Sequence, residues 1–506
     1  MSKSPTFTRP TVTDKVFILG IFLISICVRI PHLDRPVSKH HEFNSAMILI
    51  PMDVWEEEGL SKHHWSPVMS YTNPGDKKVN NMTKEYMQVE GDYYYLSFSS
   101  ITYVLPYLSF KLFGLSPSPL ALQVFNLFLL LCSLLLLYEI LIRLFRDGES
   151  TNRARLTASI ACILYAFTPI SLWFHGNGYT HHVLLIPFIL GFFMYYVKLL
   201  RRDYRNRALT MIGLVLFGVL ASLTAWLGII LLVLTLLPLL IKWRSRKDLR
   251  ISSLLIITSV ISGFLIFYIQ YKGLIGEELL GKYLGDRFTD RSGGNEGLSS
   301  LLNGIIALPF WYIVGYSTLC ILLVFVFIQF VRNKLGLNYA QRSVLNVLLS
   351  GSMLHHILFN DFTVAHDYSV LLDGLFICIL VAILLEKLNS KAVRFVLIGT
   401  ITLFGIGQYF YVNRIGEYGQ NGDRYDALQL IGATIGDSAE PDELVMVIGL
   451  KDRPSPQVMY YAKRNFLQLQ NEEEIEFEMR LRGMKKGRVF FIEDLKVIDQ
   501  MEINFK

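Results

Sequence analysis

"YLSFSSITYVLPYLSFKLFGLS" (residues 95–116) is apolar enough and long enough to be a membrane crossing, and the sidedness of the whole chain turns on how it is read. Counted as a span, it would send the basic stretch "RLFRDGESTNRAR" (143–155) to the outer side. Lys and Arg in short loops favour the cytoplasmic side, so this stretch belongs inside. The run is therefore an interfacial or re-entrant element on the outer face, and Pro106 and Lys111 within it suit that place. Residues 32–117 then form one large outer segment with amphipathic pieces.

The rest of the chain agrees. It has 506 residues, 52% of them hydrophobic and only 18% charged, with a mean hydropathy of +0.40. Apolar runs long enough to cross a hydrocarbon core of roughly 30 Å recur from Val16 to Val412, which excludes an ordinary soluble enzyme. Spans are expected at 15–31, 118–142, 156–173, 182–199, 208–223, 226–242, 251–270, 307–331, 343–360, 369–386 and 392–412, about eleven in all. Five short basic loops alternate between them, from Arg143–Arg155 to Lys387–Arg394, and all five fall on the cytoplasmic side. The amino terminus is then inside and the tail outside. No small-residue cleavage site follows the first run, so it reads as a retained anchor. The five cysteines lie within apolar runs and suggest neither a disulfide framework nor a metal site.

After Tyr411 the pattern changes. "DRYDALQLIGATIG", "SPQVMYYAKR" and "NEEEIEFEMRLRG" read as helices, and "ELVMVIG", "FLQL" and "RVFFIED" as strands. Alternation of this kind implies a small α/β domain. The expected fold is thus an all-α polytopic membrane domain over 1–412, with interfacial helices in its first outer loop, followed by a soluble non-cytoplasmic α/β domain over 413–506.

All eleven histidines fall on or near the outer face in this topology, in "SKHHEFNSA", "FHGNGYTHH", "MLHHILFN" and "VAHDYS" among others. Ionisable groups at membrane depth are costly and mark functional sites, so chemistry is expected on that face. Imidazoles with carboxylates also suit a divalent metal such as zinc or manganese, although no HExxH-type signature is present. Glu42, behind His40 and His41, is the first candidate for a general base, and Asp34 the second. Arg29, near the end of the first span, either snorkels to the interface or holds a phosphate. Arg287 and Arg291 in "YLGDRFTDRSGGNEG" (283–297), read as an outer loop with a mobile Gly-rich end, are further phosphate candidates. Asp373 in "SVLLDGLF" is either functional or paired with a nearby histidine.

"VRIPHLDRPVSKHHEFNSA", the run from Tyr95 to Leu131 with its "FG" turn, and "VMYYAKRNFLQL" in the tail together resemble the GT-C superfamily of polytopic glycosyltransferases. The nearest branch is that of bacterial protein O-mannosyltransferases and the lipid A aminoarabinose transferase. The resemblance implies transfer of a sugar, with inversion, from a polyprenyl-phosphate donor to a glycan, lipid or protein acceptor outside the cytoplasm. The setting it implies is a bacterial inner membrane. It also implies an acidic pair in the first loop, which here falls on His41 and Glu42, with histidine in place of the first acid. The family's further acid in the second outer loop is missing, so His175, Asn177 and His181 are the residues available there. His41, His175, His181 and His366 join the three arginines as expected substrate contacts. A transporter or flippase, which would place polar residues at mid-membrane in related halves, is the rival reading. A metal-dependent membrane hydrolase is a third. Neither a nucleotide-phosphate loop nor a nucleic-acid patch is present.

Overall fold

The computed structural model describes residues 10–38, 40–79, 87–146, 151–241, 247–294, 298–412, 426–450 and 456–504. The chain is mostly helical. It opens with α1 (Val12–Arg29), the loop helix α2 (Glu42–Glu58), a short hairpin β1 (Gln88–Val89) and β2 (Asp92–Tyr93), and α3 (Ile101–Phe113). The bundle continues through α4 (Pro119–Phe145), α5 (Thr151–Phe167), α6 (Pro169–Phe174), α7 (His181–Arg201), α8 (Arg207–Thr224) and α9 (Trp226–Ile241). It then runs through α10 (Lys247–Ile275), α11 (Glu277–Ser292), α12 (Leu298–Tyr316), α13 (Leu319–Val331) and α14 (Tyr339–Leu358). The last part is α15 (Asn360–Ala365), α16 (Asp373–Glu386) and α17 (Lys391–Val412).

Among the described residues, six helices are long and apolar enough to cross a membrane: α4, α7, α8, α10, α12 and α17. This is an integral membrane protein. Helix starts follow local chemistry: Thr11 and Asp14 form a capping box on α1, Ser118 precedes Pro119 at the start of α4, and Asn338 pairs with Gln341 at α14. Helix α16 is apolar on every side and sits in the interior. Helices α12, α13 and α17 instead expose large apolar side chains such as Ile306, Ile321 and Phe395, surfaces that lipid would solvate.

The opening stretch forms α3, whose 13 residues rise about 20 Å, well short of a crossing. Three expectations need correction. The run 156–173 is two helices, α5 and α6, broken at Thr168, which is extended and caps α6 ahead of Pro169. The run 307–331 is two helices, broken at Ser317, which takes a left-handed φ of 53° between α12 and α13. The segment read as an outer loop around Arg287 and Arg291 is helix α11 as far as Ser292. Left-handed glycines, Gly276 and Gly293, bound it, and Glu277, Glu278 and Arg291 complement its dipole. Residues 295–297 of that segment lie outside the described residues.

The tail contains α18 (Ala427–Ser438), β3 (Leu444–Ile448), α19 (Pro456–Ala462), β4 (Leu467–Leu469), α20 (Glu474–Leu481), β5 (Lys486–Glu493) and β6 (Lys496–Asn504). Sheet order is β4-β3-β5-β6, with β3 parallel to β4 and β5, and β6 antiparallel to β5. Strand β6 was not expected, because its turn is Asp494-Leu495, both at positive φ, without the Asn-Gly or Asp-Gly signal.

This small sheet unit is clamped onto the first loop. Arg464 Nε donates to Asp76 at 3.1 Å and the Asn465 N–H donates at 2.8 Å. The Val37 N–H donates to the Tyr461 hydroxyl at 2.8 Å. Backbones approach so closely here that a Cβ on Gly75 would lie 2.1 Å from the Glu443 carbonyl oxygen. Burial pushes the Asp76 carboxyl up to about 6, with Arg464 pulling the other way. Breaking a buried ion pair from one side costs about 3–5 kcal/mol. Arg464→Met should therefore lower the unfolding free energy of the detergent-solubilised protein by that order, while Arg480→Met, on an exposed helical pair, should leave it within about 0.5 kcal/mol.

Candidate active site

Helix α2 begins at Glu42, directly after His41 in a left-handed conformation (φ 54°). Glu42 is 1% exposed. Its carboxylate accepts from both terminal nitrogens of Arg35, at 3.1 and 2.5 Å, and from the Ser38 N–H at 2.7 Å. A forked guanidinium fixes a carboxylate in orientation as well as in place. Arg35 in turn lies 5.5 Å over the Trp173 ring, and Trp173 donates from its indole nitrogen to the His40 carbonyl at 3.1 Å.

A second acid reaches this corner from the far end of the chain. Asp367 opens the single turn between α15 and α16. It faces His40 Nε2 at 3.0 Å and His41 Nε2 at 3.2 Å, across 327 residues of sequence in the case of His40. Burial by itself would raise the Asp367 carboxyl, but the two imidazoles outweigh it and hold the group well below the usual carboxylate range. Asp367 also borders a small cleft with Trp173, Phe174 and Tyr409. The donor atoms of His40, His41 and Asp367 lie within 4.8 Å of one another. Two imidazoles and a carboxylate at this spacing fit a divalent ion with an open coordination position. Glu58, His63 and Asp92 form a similar triad, but Lys62 and Lys77 occupy its carboxylates.

Beside this corner the histidines continue as a chain of rings. His366 lies 5.3 Å from His41 and 4.9 Å from Tyr368, centroid to centroid. Burial, His41 and Arg291 keep the His366 ring neutral at ordinary pH. His181 stacks on Phe98 at 3.9 Å, and His182 lies 5.6 Å from both Tyr368 and His355. The guanidinium of Arg291 sits against Phe98 and Phe362, at 5.1 and 5.4 Å. Phe98, His181, His182, Arg291, His355 and Phe362 line a cleft of about 20 Å³, and the Nδ1 atoms of the buried His182 and His355 have no hydrogen-bond partner among the described residues. Arg287 lies further along α11, over Tyr95 and Tyr283 at 6.0 and 5.6 Å.

Other expected residues sit elsewhere. Arg29 is fully buried, and its nitrogens donate to the carbonyls of Ser25, Ser171 and Leu172 at 2.9 to 3.0 Å. That makes it a brace between α1 and α6. His175 faces the Tyr165 hydroxyl at 3.1 Å and is pushed down to about 3, by burial first and by Arg29 next. Asn177 donates to the His32 carbonyl at 2.7 Å. Asp34 is exposed at a left-handed turn, with its N–H bonded to Gln123. Sequence reasoning missed Arg35, Asp367, His182 and His355 as members of the site. The only available signal was that each lies in or beside a quoted histidine motif.

No family model matches the chain, and no curated protein matches it. Solved structures do. ArnT from Cupriavidus metallidurans bound to undecaprenyl phosphate matches with a TM-score of 0.59 at 11% identity, over 96% of this chain and 93% of that one. The archaeal oligosaccharyltransferase AglB from Archaeoglobus fulgidus, in complex with an inhibitory peptide and a dolichol-phosphate, matches with a TM-score of 0.57 at 13% identity, over 95% and 69%. A second structure of that oligosaccharyltransferase, in complex with Zn and sulfate, covers 94% of this chain with a TM-score of 0.57. These neighbours are GT-C polytopic glycosyltransferases, and this chain shares their fold.

The geometry separates the arginines. Arg29→Met removes three buried hydrogen bonds from a charged group to carbonyls and should cost about 3 kcal/mol or more in stability. Arg291→Met, which keeps the stem against its aromatic neighbours, should cost only about 1 kcal/mol. Thermal or urea melting of the two variants in detergent tests the ordering.

Proposed function

We propose that this protein is a glycosyltransferase of the bacterial inner membrane, with its histidine-rich end and tail unit on the non-cytoplasmic side. It transfers a hexosyl or pentosyl group, with inversion, from a polyprenyl-phosphate donor to an acceptor hydroxyl. The observation that carries this reading is the convergence, in a GT-C fold, of a buried acid from the first loop and a histidine-bound acid from the last third of the chain.

In the proposed reaction the acceptor oxygen attacks the anomeric carbon while the bond from that carbon to the donor phosphate breaks. The acceptor proton passes to Glu42, held in orientation by Arg35, and the polyprenyl phosphate leaves with the electron pair. Arg291, with His181, His182 and His355 around it, receives the developing phosphate charge, and Arg287 extends that basic path. His41 and His366 connect the acid corner to the phosphate end, while Arg29 and His175 hold α6 beneath it. Asp34 stands in reserve as the base on position alone. A divalent ion held by His40, His41 and Asp367 would supply Lewis-acid stabilisation of the phosphate. Apolar side chains at the end of α3, such as the exposed Leu112 and Phe113, suit the polyprenyl chain.

Transfer of label from a panel of polyprenyl-phosphate sugars, with purified protein in bilayers, tests the reading. Wild type is expected to make a labelled product, and Glu42→Gln to reduce the rate by about 10²–10⁴-fold, the usual contribution of a general base. Transfer at the wild-type rate by Glu42→Gln would move the base elsewhere, with Asp34→Asn the next variant. Flux of a substrate across vesicles without any covalent product would replace the enzyme by a transporter. If the triad binds metal, elemental analysis should find about one divalent ion per chain in wild type and a large loss in Asp367→Asn.

A further inference from the structure

Glu42 is gripped by a short stretch of loop, Arg35 to Ser38, that precedes its own helix. Arg35 forks onto the carboxylate, and the Ser38 N–H donates to it at 2.7 Å. The orientation of the acid is therefore only as well defined as that stretch. One side of it is held by α6, where the Trp173 ring lies 5.5 Å under the Arg35 guanidinium. The other side is held by the tail unit. Val37, between Arg35 and Ser38, is 4% exposed, and its N–H donates to the Tyr461 hydroxyl at 2.8 Å.

Tyr461 is well placed to act as a fixed post. It stands near the end of α19, seated so tightly on α18 that a Cβ on Gly432 would lie 2.6 Å from its own Cβ. Burial pushes its hydroxyl up to about 12, with the Val37 N–H pulling the other way, so it stays an uncharged acceptor. Glu42 and Arg35 both act on it electrostatically, which puts the phenol beside the acid corner. Two further ties join the tail unit to the first loop, and both are remote from that corner. Lys463 pairs with Asp53, about 16 Å along α2 from Glu42 at helical rise. Arg464 bonds to Asp76, beyond the end of α2. These two fix where the unit sits.

We propose that Tyr461 is a positioning residue for the transfer reaction. Its hydroxyl, by holding the Val37 N–H, sets the stretch from Arg35 to Ser38 and through it the direction of the Glu42 carboxylate. The tail unit is thereby part of the active centre, although no tail residue takes the acceptor proton. This rests on the assignment of Glu42 as the base. A base must meet its proton at hydrogen-bond distance, and small misplacements of such a group cost rate steeply.

Tyr461→Phe keeps the ring and its packing and removes only the acceptor. Hydrogen–deuterium exchange of the full-length protein in nanodiscs reads the tie independently of the reaction. The amides of Val37 and Ser38 should exchange about tenfold faster in this variant, as for one lost hydrogen bond, with α18 and β3 at the wild-type rate. Lys463→Met should leave the two amides unchanged. Unaltered exchange in Tyr461→Phe overturns the proposal. So does a rise spread over α18 and β3, or an equal rise in Lys463→Met, since either makes the effect one of general docking. In the label-transfer assay Tyr461→Phe should lower kcat about tenfold at unchanged KM for the donor. It should cost nothing further in combination with Glu42→Gln, because it acts through that carboxylate. A raised KM, or an additive loss in the double variant, overturns the positioning role. No transfer by the wild type strikes the proposed function itself, and the exchange data then decide the tie by themselves.

Discussion

Asp367 against His40 and His41 is the contact on which the candidate site depends. An isolated carboxylate at this depth would be too costly to keep ionised. Two imidazole nitrogens at 3.0 and 3.2 Å keep it charged, and in doing so they tie the first loop to the segment before α16. Everything nearby is registered to that tie. Trp173 reaches the His40 carbonyl, Arg35 lies over Trp173, and Glu42 takes its orientation from Arg35. The tail unit closes the same loop from above through Val37 and Asp76.

The three kinds of charge in this region are handled differently. Arg29 is saturated by carbonyl oxygens and acts as a brace. Arg291 lies against aromatic faces, which leaves its role electrostatic and its surroundings apolar. The histidines are packed ring against ring, and those outside the spans that shift, such as His366, shift toward the neutral form. A string of neutral imidazoles can donate on one nitrogen and accept on the other, which would suit the sugar-phosphate donor proposed above.

Asp373 illustrates how one residue type serves two settings. Asp367 and Asp373 are six residues apart, both beside histidines, and both buried. Asp367 faces the acid corner with two imidazoles. Asp373 is paired on one oxygen only, with His356 and Tyr312, and the other is buried with no partner among the described residues. The first arrangement suits a charged or metal-bearing centre, and the second ties α16 to α12 and α14 through Tyr312 and His356.

Much of the architecture was legible from local chemistry. Apolar runs of membrane length and the basic loops between them follow from hydropathy and charge, whereas the 13-residue length of the Pro106- and Lys111-bearing helix, too short to cross, came from the structure. The strand–helix alternation of the tail was legible for the same reason, since it is written in neighbours along the chain. The break at Ser317, the helical form of α11 and strand β6 were not, because each rests on a left-handed backbone turn that sequence marks weakly. Gathering histidines at one end of the bundle was also a sequence property, as was the nomination of Glu42. The pairing of His40 and His41 with Asp367, the clamp of Arg35 on Glu42 and the saturation of Arg29 were decided only in three dimensions. Periodicity reports which face a residue occupies, whereas the partner of a buried charge is set by which helices pack together, and that depends on the whole bundle.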